Sequence, residues 1–262
     1  MQRALAVLTL ATTLFAAACS GSGDGADDGN ACAPLRDPEE VVRVYASAWN
    51  EPDAERRLCA LTRSLTADAT YVDPTIDAAS REELADAIGQ FLASTPGASI
   101  LVTSGLDARA GELRFTWELQ SSGATLVRGV DYMELAGDGR IASIRGYWEP
   151  LPTAAPDGAL AAWARAWTEG DVAAVADAVA DDVRFTSAAE SITGVADLSA
   201  LVSRSTADGV ELVGAQAYPK FARVAFRVEG EGGFVPWTDY LHLDDEGRIA
   251  RIARFAGDFP AR

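Results

Sequence analysis

Two aspartates at matching places in a repeated stretch carry the clearest chemical signal in the chain. Asp131 opens the run Asp131-Tyr132-Met133-Glu134-Leu135, and Asp239 opens Asp239-Tyr240-Leu241-His242-Leu243. Each run passes through a glycine-containing turn into Gly-Arg-Ile-Ala and a further Ile, at Gly139 to Ile144 and at Gly247 to Ile252. Read as a strand, Val127, Gly129, Asp131, Met133 and Leu135 share one face, and that face is the more apolar. Val235, Trp237, Asp239, Leu241 and Leu243 repeat the pattern. A carboxyl group among inward-facing apolar side chains loses hydration, so its pKa rises. It then stays protonated and donates a hydrogen bond, or it finds a partner.

Other reactive residues are sparse. His242 is the only histidine, and strand alternation predicts it on the outer, solvated face. No cluster of His and Cys has metal-ligand spacing, and no cofactor is called for. There is no nucleophile elbow. The glycines at Gly21, Gly23 and Gly25 are not a phosphate loop, because no strand precedes them and no helix follows. Asp244-Asp245-Glu246-Gly247 has the composition of a turn at a hairpin tip.

The elements that must position the aspartates also occur twice. Asp37, Pro38, Glu39 and Glu40 predict a helix start, and Val41, Val44, Tyr45 and Ala48 continue it at helical spacing. A second helix is predicted over 54–65, a short strand over 69–73 stopped by Pro74, and a third helix over 81–93. Strands follow over 99–103, 113–119, 126–135 and 141–148, the alternation of Leu113, Phe115, Trp117 and Leu119 being the plainest. After the proline-rich segment 151–157 the order restarts with Leu160, Trp163, Ala164 and Trp167. The predicted architecture is α+β, two tandem units at 38–150 and 158–258, each of three helices then a curved antiparallel sheet.

The amino terminus sets the compartment. Ala4 to Ala18 is an apolar run of signal-peptide length, too short for a comfortable membrane span. It ends in Ala16-Ala17-Ala18-Cys19, small residues before a cysteine, which resembles the lipobox of bacterial lipoproteins. The resemblance implies a signal peptide over 1–19, lipidation of Cys19 and an extracytoplasmic, lipid-anchored protein. Residues 20–37, rich in Gly, Ser and Asp, are predicted as a flexible tether. Cys32 and Cys59 remain, an even number in an oxidising compartment, so a disulfide between them and two separate thiols are both open. The net charge of −17 excludes nucleic acid as a partner and electrostatic docking on anionic lipid.

Each half resembles the nuclear transport factor 2-like superfamily, which includes ketosteroid isomerases and SnoaL-like polyketide cyclases. The helices, the short strand ending at a proline and the closing hairpin carry the resemblance. It implies a cone-shaped α+β barrel in each half, with a pocket between sheet and helices. In the first half it implies three catalytic roles: Asp73 as general base, Tyr45 as oxyanion donor and Asp131 as a protonated donor. It implies that Trp148 lines the pocket, and Trp117 and Met133 are further ligand-binding candidates. In the second half Trp163 stands at the place of Tyr45, Ser187 at that of Asp73 and Ala256 at that of Trp148, so no proton-transfer site is predicted there. Three uses stay open: binding of a small hydrophobic molecule, proton-transfer catalysis in the first half, and protein interaction without a ligand. The superfamily's habit of pairing through its sheets implies that the two halves pack on each other within the chain, or that two chains pair.

Overall fold

The computed structural model describes residues 32–152, 154–205, 209–230 and 232–262. The predicted signal segment and lipidation site, Cys19, lie outside the described residues. The first half runs α1 (Pro38–Ala48), α2 (Ala54–Ser64), β1 (Leu65–Val72), β2 (Asp77–Ala78), α3 (Arg81–Ser94), β3 (Ala98–Val102), β4 (Asp107–Arg109), β5 (Glu112–Ser121), β6 (Ala124–Leu135) and β7 (Ile141–Glu149). The second runs α4 (Gly158–Thr168), α5 (Ala173–Ala178), β8 (Val179–Thr186), β9 (Ser191–Thr193), α6 (Val195–Ser205), β10 (Val210–Tyr218), β11 (Phe221–Gly230), β12 (Gly233–Leu243) and β13 (Ile249–Ala256).

Local chemistry explains the boundaries. The Asp37 side chain accepts from the Glu40 amide at the start of α1, and Asp53 and Ser80 do the same for α2 and α3. The sheets have orders β2-β1-β7-β6-β5-β3 and β10-β11-β12-β13-β8-β9. Every pairing is antiparallel except β1 with β7 and β8 with β13. Those two follow from the plan itself: each short strand enters from a helix and must lie beside the last strand of its half.

Each half has its own core between helices and sheet. Tyr45, Trp49, Leu61, Leu84, Phe115 and Ile144 belong to the first, and Trp163, Trp167, Phe185, Leu201, Phe226 and Ile252 to the second. A third cluster lies where the two sheets face each other. Val130, Tyr132 and Tyr147 of the first sheet meet Tyr240, Ala253 and Phe255 of the second. The rings of Tyr132 and Tyr240 stack with centroids 4.3 Å apart. At its rim Arg251 bridges Glu112 and Glu134, and Arg223 pairs with Glu149 at 2.7 Å.

This packing corrects the expectation for His242. It is not solvated: its side chain is only a quarter exposed, with Nε2 3.2 Å from Glu134 and its ring against Phe221. Strand alternation does place it on the outer face of its own half, but that face is covered by the other half. The end of the predicted tether is also fixed. Cys32 and Cys59 form a disulfide with Cα atoms 5.0 Å apart, and the Leu35 amide donates to the Arg63 carbonyl at 2.8 Å.

Candidate functional site

Asp131 lies in the middle of β6, on the face that α1 covers, and is 4% exposed. The Tyr45 hydroxyl, from α1, donates to its Oδ2 at 3.0 Å. The Trp117 indole N–H, from β5, donates to its Oδ1 at 2.8 Å. Trp117 can lie over the sheet because its neighbour across the ladder is Gly129, where a Cβ would stand 2.3 Å from the indole. Burial pushes the Asp131 carboxyl up to about 7, against the pull of the Trp117 and Tyr45 hydrogen bonds, and the charge of Asp73 adds to the rise. Burial, then the charge of Asp131, pushes the Tyr45 hydroxyl well above its ordinary value.

Asp73 follows β1 directly and ends it. Its Oδ1 accepts from the Thr75 amide at 2.7 Å, the Thr75 hydroxyl at 3.0 Å and the Ile76 amide at 2.7 Å, which close the turn after Pro74. Its Oδ2 accepts from the Tyr71 hydroxyl at 2.8 Å. Burial, then the charge of Asp73, pushes the Tyr71 hydroxyl up as well. The two aspartates approach each other across Gly146 of β7. A Cβ at that position would stand 3.1 Å from the Asp73 Cβ and 3.4 Å from Asp131 Oδ1. The Gly146 carbonyl in turn accepts from Tyr218 of the second half at 2.5 Å, so the second half buttresses this wall.

Beside the acids lies a half-open pocket of about 70 Å³, or about 560 Å³ when the open solvent at its mouth is counted. Tyr45, Asp73 and Asp131 all line it, together with Trp117 and Trp148. Met133 does not. It is fully buried in the first core, two residues along the strand from Asp131 and beyond the pocket floor. Two lining residues that the sequence reading did not single out are Trp49 and Tyr71. Trp49 sits one helical turn after Tyr45, a spacing that was there to be read.

The second half is built differently at the same place. Asp239 is fully buried, and the Trp163 indole donates to its Oδ2 at 2.9 Å, as Tyr45 does to Asp131. Arg254 of β13 then closes on it, with Nε and one terminal nitrogen each 2.7 Å from a carboxylate oxygen. Its guanidinium carbon lies 3.8 Å from the Trp167 ring centroid and 4.6 Å from that of Trp237. Arg254 carries no signal in the sequence analysis, although aligning the two hairpins places it at the position of Gly146.

No protein-family model matches the sequence, and no curated protein matches it. Solved structures do match. A candidate isomerase of the SnoaL-like family from Agrobacterium tumefaciens is 28% identical with a TM-score of 0.40, over 42% of this chain and 94% of its own. The chain resembles SnoaL-like and NTF2-like proteins. A candidate polyketide cyclase from Sinorhizobium meliloti is 20% identical, TM-score 0.33, over 37% of this chain and 93% of its own. An NTF2-like protein of unknown function from Cytophaga hutchinsonii is 14% identical, TM-score 0.35, over 44% and 93%. Each of these three matches spans less than half of this chain and more than nine-tenths of the other.

Proposed function

We propose that the protein is a cell-envelope lipoprotein, anchored through Cys19, whose first SnoaL-like half binds a small, largely apolar molecule in the pocket over Asp131. The observation that carries the binding reading is the pocket itself. It is a half-open recess with aromatic walls and two convergent carboxyl groups on its floor, the make-up of a small-molecule site. The apolar run before Cys19 and its small flanking residues support the anchor. In this reading the membrane is reached by the lipid alone, and no cofactor takes part.

A second reading is favoured by the convergence of Tyr45, Asp73 and Asp131 on one pocket. A carbonyl compound bound there would present its oxygen to the Tyr45 and Asp131 hydroxyls, the latter with Asp131 neutral. Asp73 would take a proton from the adjacent carbon, and the two donors would stabilise the enolate. Asp73 Oδ2 is the atom for this role, because Oδ1 is held by the turn.

Titration of the full chain with flat hydrophobic carbonyl compounds, followed by tryptophan fluorescence, tests both readings. Binding of such a compound with turnover that the Asp73→Asn variant loses, while still binding, establishes proton transfer. Binding without turnover in either protein leaves a binding module. Absence of binding by all of them rejects the pocket as a site for this class.

A further inference from the structure

The second half supplies an internal picture of what fits over the buried aspartate of this fold. Asp131 pairs with Gly146 across β6 and β7, and Asp239 pairs with Arg254 across β12 and β13. The two positions are equivalent. So are the groups around them. Trp167 lies one turn after Trp163, as Trp49 lies one turn after Tyr45. Phe185 pairs with Ile252 in the register where Tyr71 pairs with Ile144. Trp237 holds the strand position of Gly129, and over Gly129 lies the indole of Trp117. In the second half the aromatic groups Trp167, Phe185 and Trp237 surround the Arg254 guanidinium, at 3.8, 5.3 and 4.6 Å from ring centroid to carbon. In the first half Trp49, Tyr71 and Trp117 all line the pocket, and the arginine is replaced by glycine.

Charge points the same way. Among the described residues three acids are buried: Glu112, Asp131 and Asp239. Glu112 is paired with Arg251 and Asp239 with Arg254, whereas Asp131 has only neutral donors. The groups facing it are Tyr71 from β1, Asp73 just after β1, Tyr45 from α1, Trp117 from β5 and, across Gly146, Tyr218. The pocket's described lining contains two carboxyl groups and no arginine, lysine or histidine. An aromatic box with a carboxylate at its base attracts a cation through the ring faces and through charge-assisted hydrogen bonds.

We infer that the molecule taken by the first pocket carries a flat cationic head, an amidinium or guanidinium, seated on Asp131 among Trp49, Tyr71 and Trp117. This rests on the binding reading above and names its ligand class. The apolar remainder of the ligand would lie toward Val127 and Leu119, which line the same pocket. Seating a cation requires the Asp131 carboxylate, so binding is tied to loss of its proton.

The test is calorimetric titration of the full chain with benzamidinium and with its neutral near-isostere benzamide, from about pH 5.5 to about pH 8. Benzamidinium should bind roughly tenfold or more tighter than benzamide near neutral pH, since only the cation pairs with the carboxylate. Its affinity should climb with pH and level off above the Asp131 titration, with proton release on binding. The Asp131→Asn variant should lose the preference and the pH dependence. Benzamide binding as well as benzamidinium, or affinity falling as pH rises, would overturn the cationic head while leaving the pocket as a ligand site. Binding by neither compound would overturn the cationic head, and the pocket as a ligand site is then judged by the carbonyl titration above. The pH profile is read on the unmodified protein, so it stands even where a variant fails to fold.

Discussion

Gly146 and Arg254 hold the same register position in the two sheets, each opposite the buried aspartate of its half. One duplicated framework therefore exists in two states. The aromatic box is open over Asp131 and filled over Asp239.

The filled state makes a stability prediction. Arg254→Ala strands Asp239 as an unpaired carboxylate at 0% exposure and should destabilise the protein by about 3–5 kcal/mol. The double variant Arg254→Ala with Asp239→Asn removes the stranded charge and should recover part of that loss. Urea denaturation of the three proteins reads both effects. Equal destabilisation by the single and double variants would show that lost packing against Trp167 and Trp237 governs, not charge.

The open state makes a pH prediction whose sign is fixed by the direction of the shift. Asp131 keeps its proton up to about 7 when folded, but releases it at the ordinary value near about 4 when unfolded. Between these values the folded chain binds the more protons, so this group's contribution is full below about pH 4 and is lost as pH rises to about 7. The Asp131→Asn variant lacks that loss. Its melting temperature should therefore gain on that of the parent as pH rises across the window, by an amount on the order of a few kcal/mol in stability. A constant difference between the two proteins would contradict the buried, raised carboxyl.

Much of this was legible in the sequence, and the reason is periodicity. The period of two along β6 and β12 placed Asp131 and Asp239 inward, and both are buried. The duplicated Asp-Tyr and Gly-Arg-Ile-Ala pattern located both hairpins, because a two-fold repeat of side-chain direction and a glycine turn leave little freedom in register. The predicted third helix over 81–93 is observed as Arg81–Ser94. Short elements such as β2, β4 and β9 were not legible. Two or three residues carry no period, and these strands exist only because a longer neighbour offers its edge. His242 was misplaced for a related reason: alternation tells one face of a strand from the other but not what covers each. Asp73, Tyr45 and Asp131 are far apart in the chain, and only the family resemblance suggested bringing them to one pocket. Arg254 was passed over because an arginine on a strand reads as surface until its register partner is known.

The interface between the halves offers a polar mismatch. The Tyr132 hydroxyl is buried in a ring stack with Tyr240 and finds no hydrogen-bond partner among the described residues. Tyr132→Phe removes an unsatisfied group and keeps the stack, so it should stabilise the protein by about 1 kcal/mol. Tyr132→Ala removes the stack as well and should destabilise by about 3 kcal/mol or more. A shift of the urea midpoint in opposite directions for the two variants is the expected reading.

The Cys32–Cys59 disulfide joins residues 27 apart in sequence and holds the segment before α1 against α2. The paired substitution Cys32→Ala with Cys59→Ala should lower stability by about 3 kcal/mol, through the larger freedom of the unfolded chain. Loss of stability equal to that of the reduced parent, measured by thermal melting with and without reductant, assigns the effect to the bridge.

The most direct test of the binding reading blocks the pocket at its edge and leaves its floor intact. Val127 lies half-buried on β6, lines the pocket and stands four residues before Asp131, on a strand where an aromatic residue is well tolerated. Calorimetry of the full chain with a flat apolar compound that binds the parent should give one site per chain. The Val127→Trp variant, melting like the parent, should show that site abolished. Undiminished binding by the blocked variant, or two equivalent sites in the parent, would contradict a single ligand pocket over Asp131.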